Sequence, residues 1–162
     1  MRCCSLGAYL VLCFLLCYDL GMRNTNEQVK HPNPTLLPAS FYGLKSDELW
    51  AARGGDEALV RFMLLRYSSD IVMKFVNGDL FSEDTVRSFS NDEVRSFNSV
   101  QPYVVEEVVV GYSSGTMVAS DLPSVFKWAG KLFIFQGTHR ISAALLNGTG
   151  VNAFFVDCDL LG

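Results

Sequence analysis

The spacing of apolar residues along the chain changes at about residue 100. Between residues 46 and 97 they recur at three- and four-residue intervals, as at Leu59, Phe62 and Met63, which is typical of helices. From residue 103 onward, β-branched and aromatic residues gather in short runs that are typical of strands. The pattern predicts an α+β protein with a helical N-terminal half, followed by a small mixed β-sheet with one helix laid across it.

Residues that favour helix ends divide the helical half into segments. Ser46 is placed to cap a first helix that stops at Gly54-Gly55, and Asp56 is placed to cap a second. The second helix is interrupted at Ser68-Ser69, and its pattern ends at Asn77-Gly78. We therefore expect several short helices here rather than one long one.

The end of the helical half contains a repeated tetrapeptide. The sequence Val-Arg-Ser-Phe occurs at 86–89 and again at 94–97, and we interpret both copies as turns of similar helix. Between them, Ser90 followed three residues later by Glu93 has the form of a capping box. Two copies are too few to indicate a repeat architecture.

The second half predicts strands joined by tight turns. Residues 103–110, which are rich in valine, indicate a strand, and residues 111–116 lack the lysine of a phosphate-binding loop and indicate a flexible turn. Residues 125–128 and 131–135 predict a β-hairpin, because only Ala129-Gly130 separates them.

A glycine turn between a strand and a helix is the most informative local feature. Gly137 follows the strand-like run 132–135 and opens a helix pattern that stops at Asn147-Gly148, before a further strand at 151–157. The first backbone N–H groups of a helix have no partner within it, and its dipole favours an anion there. The sequence predicts an anion site at residues 137–140.

This stretch resembles the ParB/sulfiredoxin-like superfamily. Members commonly carry a strand, a Gly-X-His-Arg type of turn, an alanine-rich helix that ends in glycine, and a further strand with an acidic residue. The matching residues here are Gly137, Thr138, His139, Arg140, Ala143, Ala144, Gly148 and Val156-Asp157. Residues 122–128 also look like the strand that usually precedes the turn, so that the resemblance covers roughly residues 103–159.

The resemblance implies a ParB-like protein of a phage or mobile element that binds a nucleotide or nucleic-acid phosphate at Gly137, Thr138, His139 and Arg140. Its activity would be that of a nuclease or nucleoside-triphosphate hydrolase, with a nucleoside triphosphate and Mg²⁺ as the implied cofactor. Arg140 would hold a phosphate through its planar fork, and His139 would be the catalytic acid or base. In the alternative, both residues only stabilise the fold: His139 packs under the sheet and Arg140 pairs with Asp157 or Asp159.

Two departures from the family pattern favour a second interpretation. Thr138 stands where sulfiredoxins carry their reactive cysteine, and a threonine hydroxyl cannot supply a thiolate, although it can cap the helix or bind a phosphate oxygen. Gln136 stands where many relatives carry aspartate, and glutamine cannot act as a base. The alternative is a catalytically inactive interaction protein that keeps the fold and binds a protein partner.

Composition limits the chemistry further. The formal net charge of −4 argues against a broad nucleic-acid-binding surface, which would be basic. Four of the five cysteines precede residue 18 and Cys158 stands alone in the body, so neither a disulfide framework nor a zinc site is predicted.

The N-terminal region is compatible with more than one cellular location. We divide the chain into 1–21, a signal-like or spurious extension; 22–45, a proline-containing arm; 46–100, a helical subdomain; and 101–162, the ParB/sulfiredoxin-like domain. The apolar run 5–18 suits a signal peptide by length, whereas a start at Met22 suits a cytoplasmic protein. A secreted or membrane-anchored protein is the alternative, and in each case we expect residues 1–20 to pack poorly on the body.

Overall fold

The computed structural model describes residues 33–161, and the expectation for residues 1–20 lies outside that range. The strands are β1 (Leu36–Pro38), β2 (Val86–Phe89), β3 (Tyr103–Val105), β4 (Ser124–Trp128), β5 (Lys131–Gln136) and β6 (Val151–Asp157). The α-helices are α1 (Glu48–Ala52), α2 (Gly55–Leu64), α3 (Ser69–Val76), α4 (Asn91–Val94), α5 (Glu106–Ser114) and α6 (Thr138–Leu146). Short 3-10 helices form at Ala39–Tyr42 and Glu83–Thr85. The predicted α+β class is confirmed.

A four-stranded mixed sheet forms the centre of the fold. Its strand order is β2-β6-β4-β5, in which β4 and β6 run parallel and the two outer pairs run antiparallel. The predicted hairpin is confirmed, since Trp128 pairs with Lys131 across the two-residue connection. Strands β1 and β3 form a separate antiparallel pair.

Strands β4 and β5 are apolar on both faces, because successive side chains of a strand point to opposite sides. Phe126 and Phe133 face one side, where α2 and α3 supply Leu59, Val60, Met63, Val72, Phe75 and Val76. Val125 and Ile134 face the other side, where α6 supplies Ile141 and Leu145. The sheet is therefore enclosed between two helical layers.

Aromatic rings dominate the core beneath α1 to α3. The Trp50 ring lies 5.2 Å from the ring centre of Phe133 and 5.7 Å from that of Trp128. Phe75 meets Phe126 edge to face at 5.6 Å. Each such ring contact stabilises the fold by about 0.5–1.5 kcal/mol beyond the contribution of the apolar area that it buries. They join the N-terminal helices to the sheet in one core.

The outer layer on the α6 side is formed by α5, and this placement corrects one prediction. Residues 103–110 were expected to be one strand, but the strand ends at Val105 and residues 106–114 are helical. Residues 111–114, expected in a flexible turn, belong to the same helix. Val108 and Val109 are buried while Val110 is exposed, which is the burial pattern of a helix.

Three smaller expectations in the helical half were also wrong. The first copy of Val-Arg-Ser-Phe is strand β2, which pairs with β6. The second copy begins at Val94, the last residue of α4, and continues beyond the helix. Ser46 and Asp56 do not cap helices, since Asp47 and Gly54 occupy the N-cap positions. The capping by Ser90 is confirmed, because its side chain accepts the Glu93 N–H, and Ser68 caps α3 by accepting the Ile71 N–H.

No helix within residues 33–161 is long and apolar enough to cross a membrane.

The β4–β5 turn carries backbone strain that a substitution can relieve. Ala129 has a φ of 50° and Gly130 a φ of 75°, which is the left-handed pair of a two-residue hairpin turn. We expect Ala129→Asn to stabilise the protein by about 1 kcal/mol, because asparagine tolerates this conformation, and Ala129→Val to destabilise it. Chemical denaturation measures both; equal stability of the Asn and Val variants would contradict the prediction.

A second prediction concerns Cys158, whose thiol is fully buried. Burial, with smaller contributions from the Asp159 and Asp157 carboxylates, raises the pKa of Cys158 well above its usual value. The unfolded thiol ionises first, so the stabilisation is complete below about pH 8.5 and is lost above it, by up to about 1.4 kcal/mol per pH unit. Unfolding free energies between pH 7 and pH 10 should therefore fall more steeply for the wild type than for Cys158→Ala; parallel curves would contradict this.

Candidate functional site

The predicted glycine turn joins β5 directly to α6. Gly137 is the N-cap residue of the helix and has a φ of 99°, a conformation that side chains strongly disfavour. No side chain caps this helix, and its first turn contains no acidic residue. The N-terminus of α6 therefore has the electrostatic character of an anion site.

The space beside Gly137 is taken by Pro123 of the preceding loop. A Cβ atom added at Gly137 would lie 2.5 Å from the Pro123 Cβ and 3.1 Å from Nη2 of Arg140. The Arg140 guanidinium thus folds back over the turn, as expected for a side chain in the first turn of a helix. Glycine is required here both by its φ and by this close approach.

The His139 ring bonds to the strand that precedes α5. Its Nε2 atom accepts a hydrogen bond of 3.0 Å from the Val105 N–H, and Val105 is the N-cap residue of α5. An imidazole nitrogen that accepts a hydrogen bond carries no proton, so Nε2 cannot also donate one to a ligand in this arrangement. His139 connects the N-termini of α5 and α6.

Arg140 is held by Asp121, in the same loop as Pro123. Its Nη1 atom donates to the Asp121 carbonyl oxygen at 2.6 Å and to the Asp121 carboxylate at 3.2 Å. The Arg140 side chain is 14% exposed, whereas that of Asp121 is 58% exposed. A carboxylate of the protein itself therefore lies beside the first turn of α6.

Asp157 and Asp159, which were expected from the sequence as alternative partners of Arg140, bond to other groups. Asp159 accepts the N–H groups of Ala129 and Gly130 at 2.9 and 3.2 Å, and Asp157 accepts the N–H of Asp159 at 2.9 Å. The expected pairing of Arg140 with either residue is therefore wrong. Asp121 is one of several acids scattered on loops, and its spacing from Arg140 in the sequence does not distinguish it.

Two hydroxyl groups of α6 are buried without hydrogen-bond partners among the described residues. Thr138 begins the helix and Ser142 follows one turn later, and both side chains are fully enclosed. Thr138 does not cap the helix, because Gly137 takes that position. An unpaired buried hydroxyl is costly, which makes Thr138 an unusual choice at the start of this helix.

Residues 33–161 contain no cluster of histidine, cysteine, aspartate or glutamate that could hold a metal ion. Gln136 ends β5, immediately before the turn, so that the structure brings together all five residues from Gln136 to Arg140. Sequence reasoning did not predict the contacts of Asp121, Pro123 and Val105 with the turn, because these residues meet it only through the fold.

Comparison with known proteins adds no relative: no family model, curated protein or solved structure matches this chain. The ParB/sulfiredoxin-like resemblance therefore stays a prediction that rests on the residues of the turn and on their strand–turn–helix–strand context.

The tight packing at the turn yields a direct test. We expect Gly137→Ala to destabilise the protein by about 2 kcal/mol or more, because it adds left-handed strain and a clash with Pro123. Gly148→Ala is the matched control, since Gly148 also has a positive φ, of 68°, but no atom within 4 Å of its added Cβ. Equal losses of unfolding free energy for the two variants would show that Pro123 does not restrict the turn.

Proposed function

We propose that this protein binds a phosphate-containing ligand, a nucleotide or a nucleic-acid phosphate, at the N-terminus of α6. The observation that carries the proposal is the Asp121 carboxylate, which Arg140 holds beside a helix N-terminus that lacks any side-chain cap. A phosphate is a stronger acceptor than this carboxylate and suits the arginine fork. Binding would exchange an internal anion for an external one.

The exchange has a low energetic cost. The Asp121 carboxylate is largely exposed, so that water screens its attraction to the Arg140 guanidinium and hydrates it when it is displaced. A phosphate in its place would gain the N–H groups at the start of α6 as well as the Arg140 guanidinium. The buried Thr138 hydroxyl, which has no partner among the described residues, supplies a further donor if the turn opens on binding.

Nuclease or nucleotide-hydrolysing activity is part of the proposal only through the resemblance, as are the Mg²⁺ ion and the origin in a phage or mobile element. His139 would then release the Val105 N–H in order to transfer a proton through Nε2. We also place the function in the cytoplasm, since the family is mostly intracellular.

A second candidate function follows from a different observation. His139 and Arg140 both bond to groups of the protein itself, and Pro123 packs against Gly137. These contacts suit an interaction protein in which the turn stabilises the fold and a partner binds elsewhere. The two functions differ in what substitutions at the turn should do.

Titration calorimetry with nucleotides and short DNA, with and without Mg²⁺, separates them. Arg140→Ala should weaken binding by about 1.5–3 kcal/mol, the scale of a charge-assisted hydrogen bond. Asp121→Asn should strengthen it by up to about fivefold, because it removes the competing anion. Arg140→Lys, which keeps the charge but loses the fork, should fall between Arg140→Ala and the wild type.

Asp70→Asn is the matched control, because Asp70 is exposed in the first turn of α3 and should leave affinity unchanged. Melting temperatures of all variants show whether a loss of binding is a loss of folding. No binding by the folded wild type to any nucleotide or DNA would overturn the phosphate proposal and favour the interaction protein.

A further inference from the structure

A groove lies at the opposite end of β5 from the α6 turn. Its volume is about 410 Å³, within the range of small-molecule sites. Its lining comes from α1 and the segment before it, from the segment after α4 and from the β4–β5 hairpin, and includes Lys45, Leu49, Ser96, Asn98, Lys131 and Leu132. We propose that this groove binds a small organic anion, a carboxylate or phosphate ester that carries an apolar group.

The groove exists because the outer edge of β5 is only partly covered. Asn98 pairs with this edge: its N–H donates to the Leu132 carbonyl at 2.8 Å, and its carbonyl accepts the Ile134 N–H at 3.1 Å. On the N-terminal side of Asn98 the chain turns away from this edge, and the Ser96 carbonyl oxygen accepts a hydrogen bond from the Asn98 side-chain amide. Since the N–H and C=O of a strand residue point the same way, the Leu132 N–H faces the groove.

Charge determines the class of ligand. The groove is lined by two lysines, Lys45 and Lys131, and by no acidic residue. Both lysines are exposed, and neither has an ion-pair partner within residues 33–161. Asp159, a neighbouring carboxylate, is bonded to the hairpin N–H groups of Ala129 and Gly130. Two uncompensated ammonium groups and a backbone donor favour an anion.

The remaining lining sets the shape and polarity of the site. The Asn98 side chain is buried and fixed by its donation to the Leu132 carbonyl at 2.9 Å. Leu49 and Leu132 provide apolar walls. A ligand that places its anion between the lysines and an apolar group on these leucines would satisfy both parts, which an inorganic ion would not.

Aryl anions test the proposal on the full chain. Phenyl phosphate and benzoate, titrated with NMR detection of backbone amides, should shift the Leu132 and Asn98 signals saturably, whereas the neutral analogue benzyl alcohol should not. Lys45→Gln and Lys131→Gln should each raise the dissociation constant roughly three- to fivefold, with a larger rise in the double variant. The stronger of the two probes identifies phosphate ester or carboxylate as the better headgroup.

Lys74→Gln is the matched control, because Lys74 is an exposed lysine in the last turn of α3 and does not line the groove. The shifts at Leu132 should persist in Arg140→Ala, so that failure here is distinct from failure at the α6 turn. Unchanged affinity in the double lysine variant, equal binding of benzyl alcohol, or no shift at Leu132 with either anion would each overturn the proposal.

Discussion

The structure depends on the burial of both faces of strands β4 and β5. Phe126 and Phe133 on one face, and Val125 and Ile134 on the other, are removed from water only if helices cover each side. The N-terminal helices cover the first face and α6 covers the second. Because α6 must begin immediately after β5 to do so, the chain has room for only a single-residue turn, and Gly137 provides it.

This requirement explains why the side chains of the turn contact different parts of the fold. As α6 crosses the sheet, Thr138 and Ile141 become buried, His139 reaches β3 and Arg140 reaches the loop before β4. These contacts differ in strength. Leaving the partly buried Val105 N–H without an acceptor costs about 1–3 kcal/mol, whereas the Asp121 carboxylate is largely exposed and is hydrated by water once Arg140 leaves it. Arg140 is therefore the member of the turn that a ligand could recruit at least cost.

The turn and the lysine groove lie at the two ends of β5. This strand has six residues, so the sites are separated by about 20 Å. They also differ in construction. The turn uses a helix N-terminus and an arginine that already holds an anion, whereas the groove uses an uncovered strand edge and two lysines without ion-pair partners. Their occupancies can therefore be measured independently with variants of one site.

Local sequence patterns predicted correctly those elements whose ends are set by local chemistry. The β4–β5 hairpin, α6 and β6 follow from the turns at Gly130, Gly137 and Gly148, because each of these glycines has a positive φ that few other residue types tolerate. Whether an ambiguous segment forms a helix or a strand depends instead on its tertiary contacts. Val86–Phe89 becomes a strand because β6 offers it an edge, although the second copy of this tetrapeptide, at 94–97, starts at the last residue of α4. The valine-rich run after Val105 becomes a helix because its burial against α6 outweighs the strand preference of its valines. The contacts that define the candidate site, from Asp121, Pro123 and Val105, bring together residues distant in the sequence, which no local pattern encodes.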